Sequence, residues 1–264
     1  MIRQTSALFA KAGQNLLRTK RALPVTVFAV GQLYLLTTTP ASLGAGQGYI
    51  TAGVGGGQKT LDSYQAIIYA PFSNLSETGL ILRGWSKAYK FSYDTSLPTA
   101  NNITISALGL GLEAEAGWQF SFDQARIALY GGLVWRKHTL SPADPGSHLG
   151  KSRIGFSTTF DGQYDFSSNY GILANASFLH GFNQYWAQVK PFVKVGDGWK
   201  AGLETSSAGG KDYNNSRFGL FASDYELTFW AGKRIFLGGQ AGIQFSFKEN
   251  RVTPYAGIHL GYLF

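Results

Sequence analysis

The 264-residue sequence has no cysteine and a single methionine. Without thiols there is no disulfide framework, no thiolate metal site, no iron–sulfur cluster and no cysteine nucleophile. Charge is scarce as well: Asp, Glu, Lys and Arg make up 14% of the chain, against roughly 25% in ordinary soluble domains. No apolar run reaches the ~20 residues that a spanning helix needs. From Gly48 onward no stretch repeats with a helical period. A helical membrane protein and a soluble helical domain are both set aside.

Glycine and aromatic residues are abundant, with 34 glycines and 15% Phe, Trp and Tyr. Strands with one apolar face and one small, polar face have this composition. The net charge of +8 first suggests nucleic acid. Yet Arg3, Lys11, Arg18, Lys20 and Arg21 all precede position 41, where no Asp or Glu occurs, and the remainder holds 18 basic against 15 acidic residues. No dense basic run is left, so a phosphate-binding surface and a nucleic-acid partner are not expected.

The front segment reads as an export signal. A basic stretch ends at Arg21, the uncharged run "ALPVTVFAVGQLYLL" follows, and "TTTPASLGAG" supplies small residues for a signal peptidase. Residues 1–41 are expected to be removed after Ala41, leaving 42–264 as one domain.

That domain alternates apolar and polar residues with period two. Ile154, Phe156, Thr158 and Phe160 oppose Arg153, Gly155, Ser157, Thr159 and Asp161, while Leu108, Leu110, Leu112 and Ala114 oppose Gly109, Gly111, Glu113 and Glu115. The pattern predicts strands over 48–56, 62–71, 78–93, 102–117, 124–138, 151–165, 169–180, 184–195, 199–207, 215–226, 236–247 and 251–264. Connections such as "FSSN" and "GDG" are short, and "DTSLPTAN", "TLSPADPGSHLG" and "SAGGKDYNN" are longer, in alternation. The expected fold is all-β: a transmembrane up-and-down antiparallel β-barrel of about twelve strands. Its expected place is the outer membrane of a Gram-negative bacterium, against lipid and lipopolysaccharide. Trp85, Trp118, Trp135, Trp186, Trp199 and Trp230 fall mostly near the predicted strand ends, where interfacial girdles are expected.

The last strand carries the sharpest expectation. Val252, Pro254, Ala256, Ile258 and Leu260 should face lipid, and Thr253, Tyr255 and His259 the lumen, with the strand closing on the first. Pro254 lacks a ladder donor and so belongs near the outer rim, and the aromatic Phe264 reads as a membrane-insertion signal.

Motifs for chemistry are few. His138, His148, His180 and His259 include no pair with metal-ligand spacing, there is no G-x-S-x-G elbow, and no cofactor site is expected. Glu113 and Glu115 share a face and are expected to pair with lumen Arg or Lys rather than a cation. His138 and Ser141 are close in sequence, as a lipid-modifying barrel enzyme would need. With apolar residues against lipid, the inward set includes Lys87, Lys194, Lys200, Glu113, Glu115, Asp161 and His259. The inward residues singled out as substrate-contact candidates are Arg83, Arg126, Tyr130, Arg136, Arg153, Trp186, Lys190, Glu204 and Tyr255. Such residues either plug the barrel with salt bridges and tyrosines or line a path where aromatic faces stack on sugar rings.

Two stretches resemble the BcsS-type cellulose biosynthesis proteins of bacterial cellulose gene clusters. One is "DSYQAIIYAPFSNLSETGLILRGWSKAYKFSY", Asp62–Tyr93, with Gly79, Arg83 and Gly84 followed by Tyr89, Phe91 and Tyr93. The other is "GWKAGLETSSAGGKDYNNSRFGLFAS", Gly198–Ser223. The resemblance implies an outer-membrane protein serving cellulose production, in passage or surface attachment of the glucan, with other cellulose-secretion components as partners. It offers no catalytic residues. A small transport channel for an unrelated substrate and a lipid-modifying enzyme stay open as alternatives.

Overall fold

The structure, a computed structural model, describes residues 46–97, 100–145, 147, 151–196, 198–211, 213–227 and 234–264. The expected export signal, His148 and Trp230 lie outside the described residues.

Twelve strands follow in chain order. They are β1 (Gln47–Gly57), β2 (Thr60–Ala70), β3 (Gly79–Leu97), β4 (Ala100–Ser121), β5 (Ala125–Ser141) and β6 (Arg153–Asp165), then β7 (Tyr170–His180), β8 (Gln184–Val195), β9 (Trp199–Gly209), β10 (Asn214–Leu227), β11 (Arg234–Ser246) and β12 (Arg251–Leu263). Each pairs antiparallel with its sequence neighbours, and β1 pairs with β12, so the sheet closes. Closure leaves no backbone edge unpaired, the condition for placing a sheet in hydrocarbon. We call the end carrying Gln47 and Phe264 proximal and the opposite end distal.

The period-two pattern sorts the side chains as expected. Leu112, Leu133, Ile154, Leu220 and Ile258 point outward and are 54% to 74% exposed. In water each would forgo roughly 1.5–3 kcal/mol of burial. Against hydrocarbon there is no such loss, so this belt is the surface of a membrane-spanning barrel.

Three details depart from the sequence reading. The described residues of "DTSLPTAN" belong to strands: β3 and β4 pair with each other well past the last β2 partner at Phe91 and before the first β5 partner at Ser106. Beyond those partners β3 and β4 form a two-stranded ribbon that projects past the distal rim. Much of "WQFSFD" is likewise strand, because β4 runs to Ser121. Trp85 is not a girdle residue. It faces inward, 5.5 Å from Tyr64, with the Lys87 ammonium 4.9 Å from its ring centroid.

The seam is well formed. Pairing of β1 with β12 runs from Tyr49 opposite Leu263 to Gly57 opposite Tyr255. Pro254 falls one residue past that point, at the distal rim, where its missing donor deprives no β1 partner. At the proximal end, Gly48 and Phe264 exchange N–H···O bonds of 2.8 Å in both directions.

Glycines recur on the wall because rings recline on them. A Cβ at Gly53 would come 2.6 Å from the Tyr64 ring, and one at Gly109 would run into the Tyr89 ring. In both cases ring and glycine are register partners on adjacent strands. The tyrosines can thus lie flat on the wall rather than stand across the lumen.

Candidate functional site

Inward positions of β3, β4 and β6 build the first polar cluster. Arg83 on β3 meets Glu115 on β4 through Nε at 2.7 Å and Nη2 at 2.5 Å, both on Oε2. The other oxygen, Oε1, accepts from the Ser157 and Thr159 hydroxyls of β6 at 2.7 and 2.9 Å. Arg83 Nη1 also reaches Asp161 on β6 at 2.7 Å, and Asn175 donates to that carboxylate at 2.9 Å. The Tyr130 ring lies 4.2 Å from the guanidinium carbon. A buried carboxylate and guanidinium are tolerated here because nearly every lone pair and proton has a partner.

Toward the distal mouth a second set forms. Glu113 takes Lys87 at 3.3 Å and Arg136 at 3.5 Å. Arg136 on β5 also donates to Gln184 on β8 at 2.5 Å. Glu113 and Glu115 are therefore both engaged by cations, as expected.

A third cluster occupies the opposite wall. Glu204 on β9 is buried and accepts from the Tyr255 hydroxyl of β12 at 3.0 Å. Lys190 on β8 lies 3.0 Å from the other Glu204 oxygen, a charge contact outside hydrogen-bond alignment, and donates to Gln240 on β11 at 3.2 Å. Arg217 donates to Gln244 at 2.7 Å and stands over the Tyr255 ring at 5.1 Å.

Four of these contacts join strands three apart around the wall: Arg83 to Asp161, Arg136 to Gln184, Lys190 to Gln240 and Tyr255 to Glu204. Each cuts a chord across the lumen. The proximal mouth is narrowed separately by the β2–β3 connection. Leu75 packs there on Ile81, Ala128 and Tyr130, and its carbonyl accepts from Gln119 at 2.9 Å and Arg126 at 3.2 Å.

The nine candidates thus separate. Arg83, Tyr130, Arg136, Lys190, Glu204 and Tyr255 meet in the lumen networks. Arg126 is exposed at the proximal mouth, holding Leu75, and Arg153 and Trp186 are exposed toward the distal end of β6 and β8. Sequence reasoning missed Ser157, Thr159, Arg217, Gln240 and Gln244 as network members. Strand alternation places each of them inward, but nothing in one dimension says which strand it reaches. His138 and Ser141 alternate onto opposite faces of β5. The His138 Nε2 lies 2.7 Å from the Tyr89 hydroxyl, so these two residues do not form a nucleophile–base pair.

Among solved structures the barrel is similar to the KdgM porin, with 9% identity and a TM-score of 0.47 over 81% of this chain and 98% of that one. It is also similar to a Pseudomonas aeruginosa FadL homologue, with 9% identity and a TM-score of 0.42 over 83% and 89% of the two chains. The Pseudomonas putida toluene transporter TodX gives 10% identity and a TM-score of 0.39, covering 93% of each chain. No curated protein matches the sequence. Residues 48–260 match the family described as cellulose biosynthesis protein BcsS. Those residues take in the whole lumen network, and the chain belongs to the BcsS family of cellulose biosynthesis proteins.

Proposed function

We propose that the protein is a non-catalytic barrel of the Gram-negative outer membrane that holds newly made cellulose at the cell surface rather than conducting it. Residues 1–41 act as the export signal. The apolar belt supports the membrane location, and family membership supports the tie to cellulose.

The four side-chain bridges across the lumen carry the choice between holding and conducting. A glucan threading the barrel would have to part Arg83 from Asp161 and Tyr255 from Glu204. Parting a hydrogen bond to a charged group costs about 1–3 kcal/mol, and a glucan in transit would have to hold such contacts open all along the lumen. Six of the nine candidates then serve as the plug. The glucan is left to meet the distal mouth. Purified barrel in a planar bilayer should show no steady conductance, and an ohmic open pore would refute the holding role.

A further inference from the structure

The wall between β12 and β3 differs from the rest of the lumen. Gly55 and Gly57 of β1 and Gly257 of β12 share the inward face there, beside Gly53 under the Tyr64 ring, and β1 and β2 carry neither end of any of the four bridges. Register places Gly257, Gly55, Asp62, Tyr89, Gly109 and His138 in one lateral row. Tyr89 rests on Gly109 and bonds His138 through its hydroxyl at 2.7 Å. From it a ladder climbs the inner face of β3 toward the distal mouth. Tyr89 and Phe91 have centroids 6.3 Å apart and planes 18° apart, and Phe91 and Tyr93 follow at 6.1 Å and 27°. All three rings are half-buried, and the Tyr93 hydroxyl is anchored on Asp144 at 2.9 Å.

Asp62, beside Tyr89, is the independent observation. The inward carboxylates Glu113, Glu115, Asp161, Asp165 and Glu204 each lie within 3.5 Å of an Arg or Lys nitrogen. Among the described residues Asp62 enters no hydrogen bond or ion pair. The charges of Arg217 and Lys87 act on this half-buried carboxylate without donating to it, so its oxygens are open to a ligand that brings donors and an apolar face.

We infer that the Tyr89–Phe91–Tyr93 ladder, flanked by Asp62 and His138, is a binding cradle for a β-linked glucan chain at the distal mouth. A β-linked glucan is a flat ribbon with apolar C–H faces and hydroxyls along its edges. Its face lies on the near-parallel rings, one edge donates to Asp62 and the other meets His138. The glycine-lined wall leaves room for it without disturbing the plug. This inference rests on the glucan-holding role and names the residues that would perform it.

Isothermal titration of the full barrel in detergent with cellohexaose tests it, with maltohexaose as the curved, α-linked comparison. Cellohexaose should bind and maltohexaose should not. Asp62→Asn and Phe91→Ala should each weaken binding by about tenfold or more. Lys194→Ala, at the proximal end, should leave binding unchanged. Heat-modifiable gel mobility establishes that each variant is folded. Cellohexaose binding unaltered in folded Asp62→Asn and Phe91→Ala overturns the cradle while leaving the holding role intact. No binding of cellohexaose by the wild type overturns both, and equal binding of maltohexaose overturns the assignment to a flat β-linked chain.

Discussion

Arg83 and Asp161 stand on strands three apart in the barrel wall, yet the guanidinium Nη1 donates to the carboxylate Oδ2 at 2.7 Å. Closing that gap takes a long side chain reaching inward from β3, and its charge is shared with Glu115, whose side chain is fully shielded. The buried ion pair and a contact that spans the lumen therefore share one residue.

Arg83→Leu should destabilise the barrel by about 3–5 kcal/mol, because it leaves Glu115 buried without a counter-charge. Adding Glu115→Gln should recover much of the loss. Urea unfolding in lipid vesicles, followed by tryptophan fluorescence, measures both. Equal stability of wild type and Arg83→Leu would mean that water reaches Glu115 freely.

Tyr255→Phe removes the aligned donor to Glu204, which is 1% exposed. A cost of roughly 1–3 kcal/mol follows from leaving a charged acceptor short of one bond. The same unfolding measurement applies. A neutral result would show that Lys190 alone satisfies this carboxylate.

Gly109→Ala places a methyl where the Tyr89 ring rests. The ring must lift, breaking its bond to His138, at roughly 1–3 kcal/mol for overpacking. Combining Gly109→Ala with Tyr89→Ala should be less harmful than the two single losses summed. Strict additivity in that cycle would contradict the ring-on-glycine contact.

The projecting ribbon should respond to acid. The Thr104 hydroxyl and the Lys59 ammonium hold the Asp94 carboxyl below the usual carboxylate range. A carboxyl whose folded pKa is depressed contributes stability above its unfolded value of about 3.9, and that contribution is lost as pH falls through the folded pKa. Hydrogen-exchange protection over residues 92–105 should fall in that window while the barrel strands stay protected. Unchanged protection would mean that the ribbon is held by its backbone pairing alone.

Much of the fold was legible because a barrel wall has two environments and a strand reports them in alternation. Leu108 to Glu115 reads correctly residue by residue, and Pro254 found its place from the one donor it lacks. The failures have physical causes. "DTSLPTAN" looks like a loop because Pro and Asn favour turns, but pairing between β3 and β4 continues on both sides of the tip. Trp85 looks like a girdle residue because tryptophan is large and amphipathic, whereas strand alternation puts it on the inward face with Arg83 and Lys87, whose charged groups lie over its ring. The lumen set was half legible. Arg83 and Glu204 could be placed inside from period alone, but that Ser157 and Thr159 serve Glu115 depends on a register that crosses β5. Asp62 and Tyr89 were hidden for the same reason, since their adjacency exists only once β2 and β3 are aligned.

The most direct test is where the polymer goes when the barrel is missing. In a cellulose-producing strain lacking this chain, total glucan should be close to normal, while the cell-attached fraction falls and soluble or sedimenting cellulose rises in the medium. Re-expression of the wild type should restore attachment, and expression of the Asp62→Asn, Phe91→Ala double variant should not. Loss of all external cellulose, with glucan accumulating inside the envelope, would contradict the holding role and make the barrel a conduit.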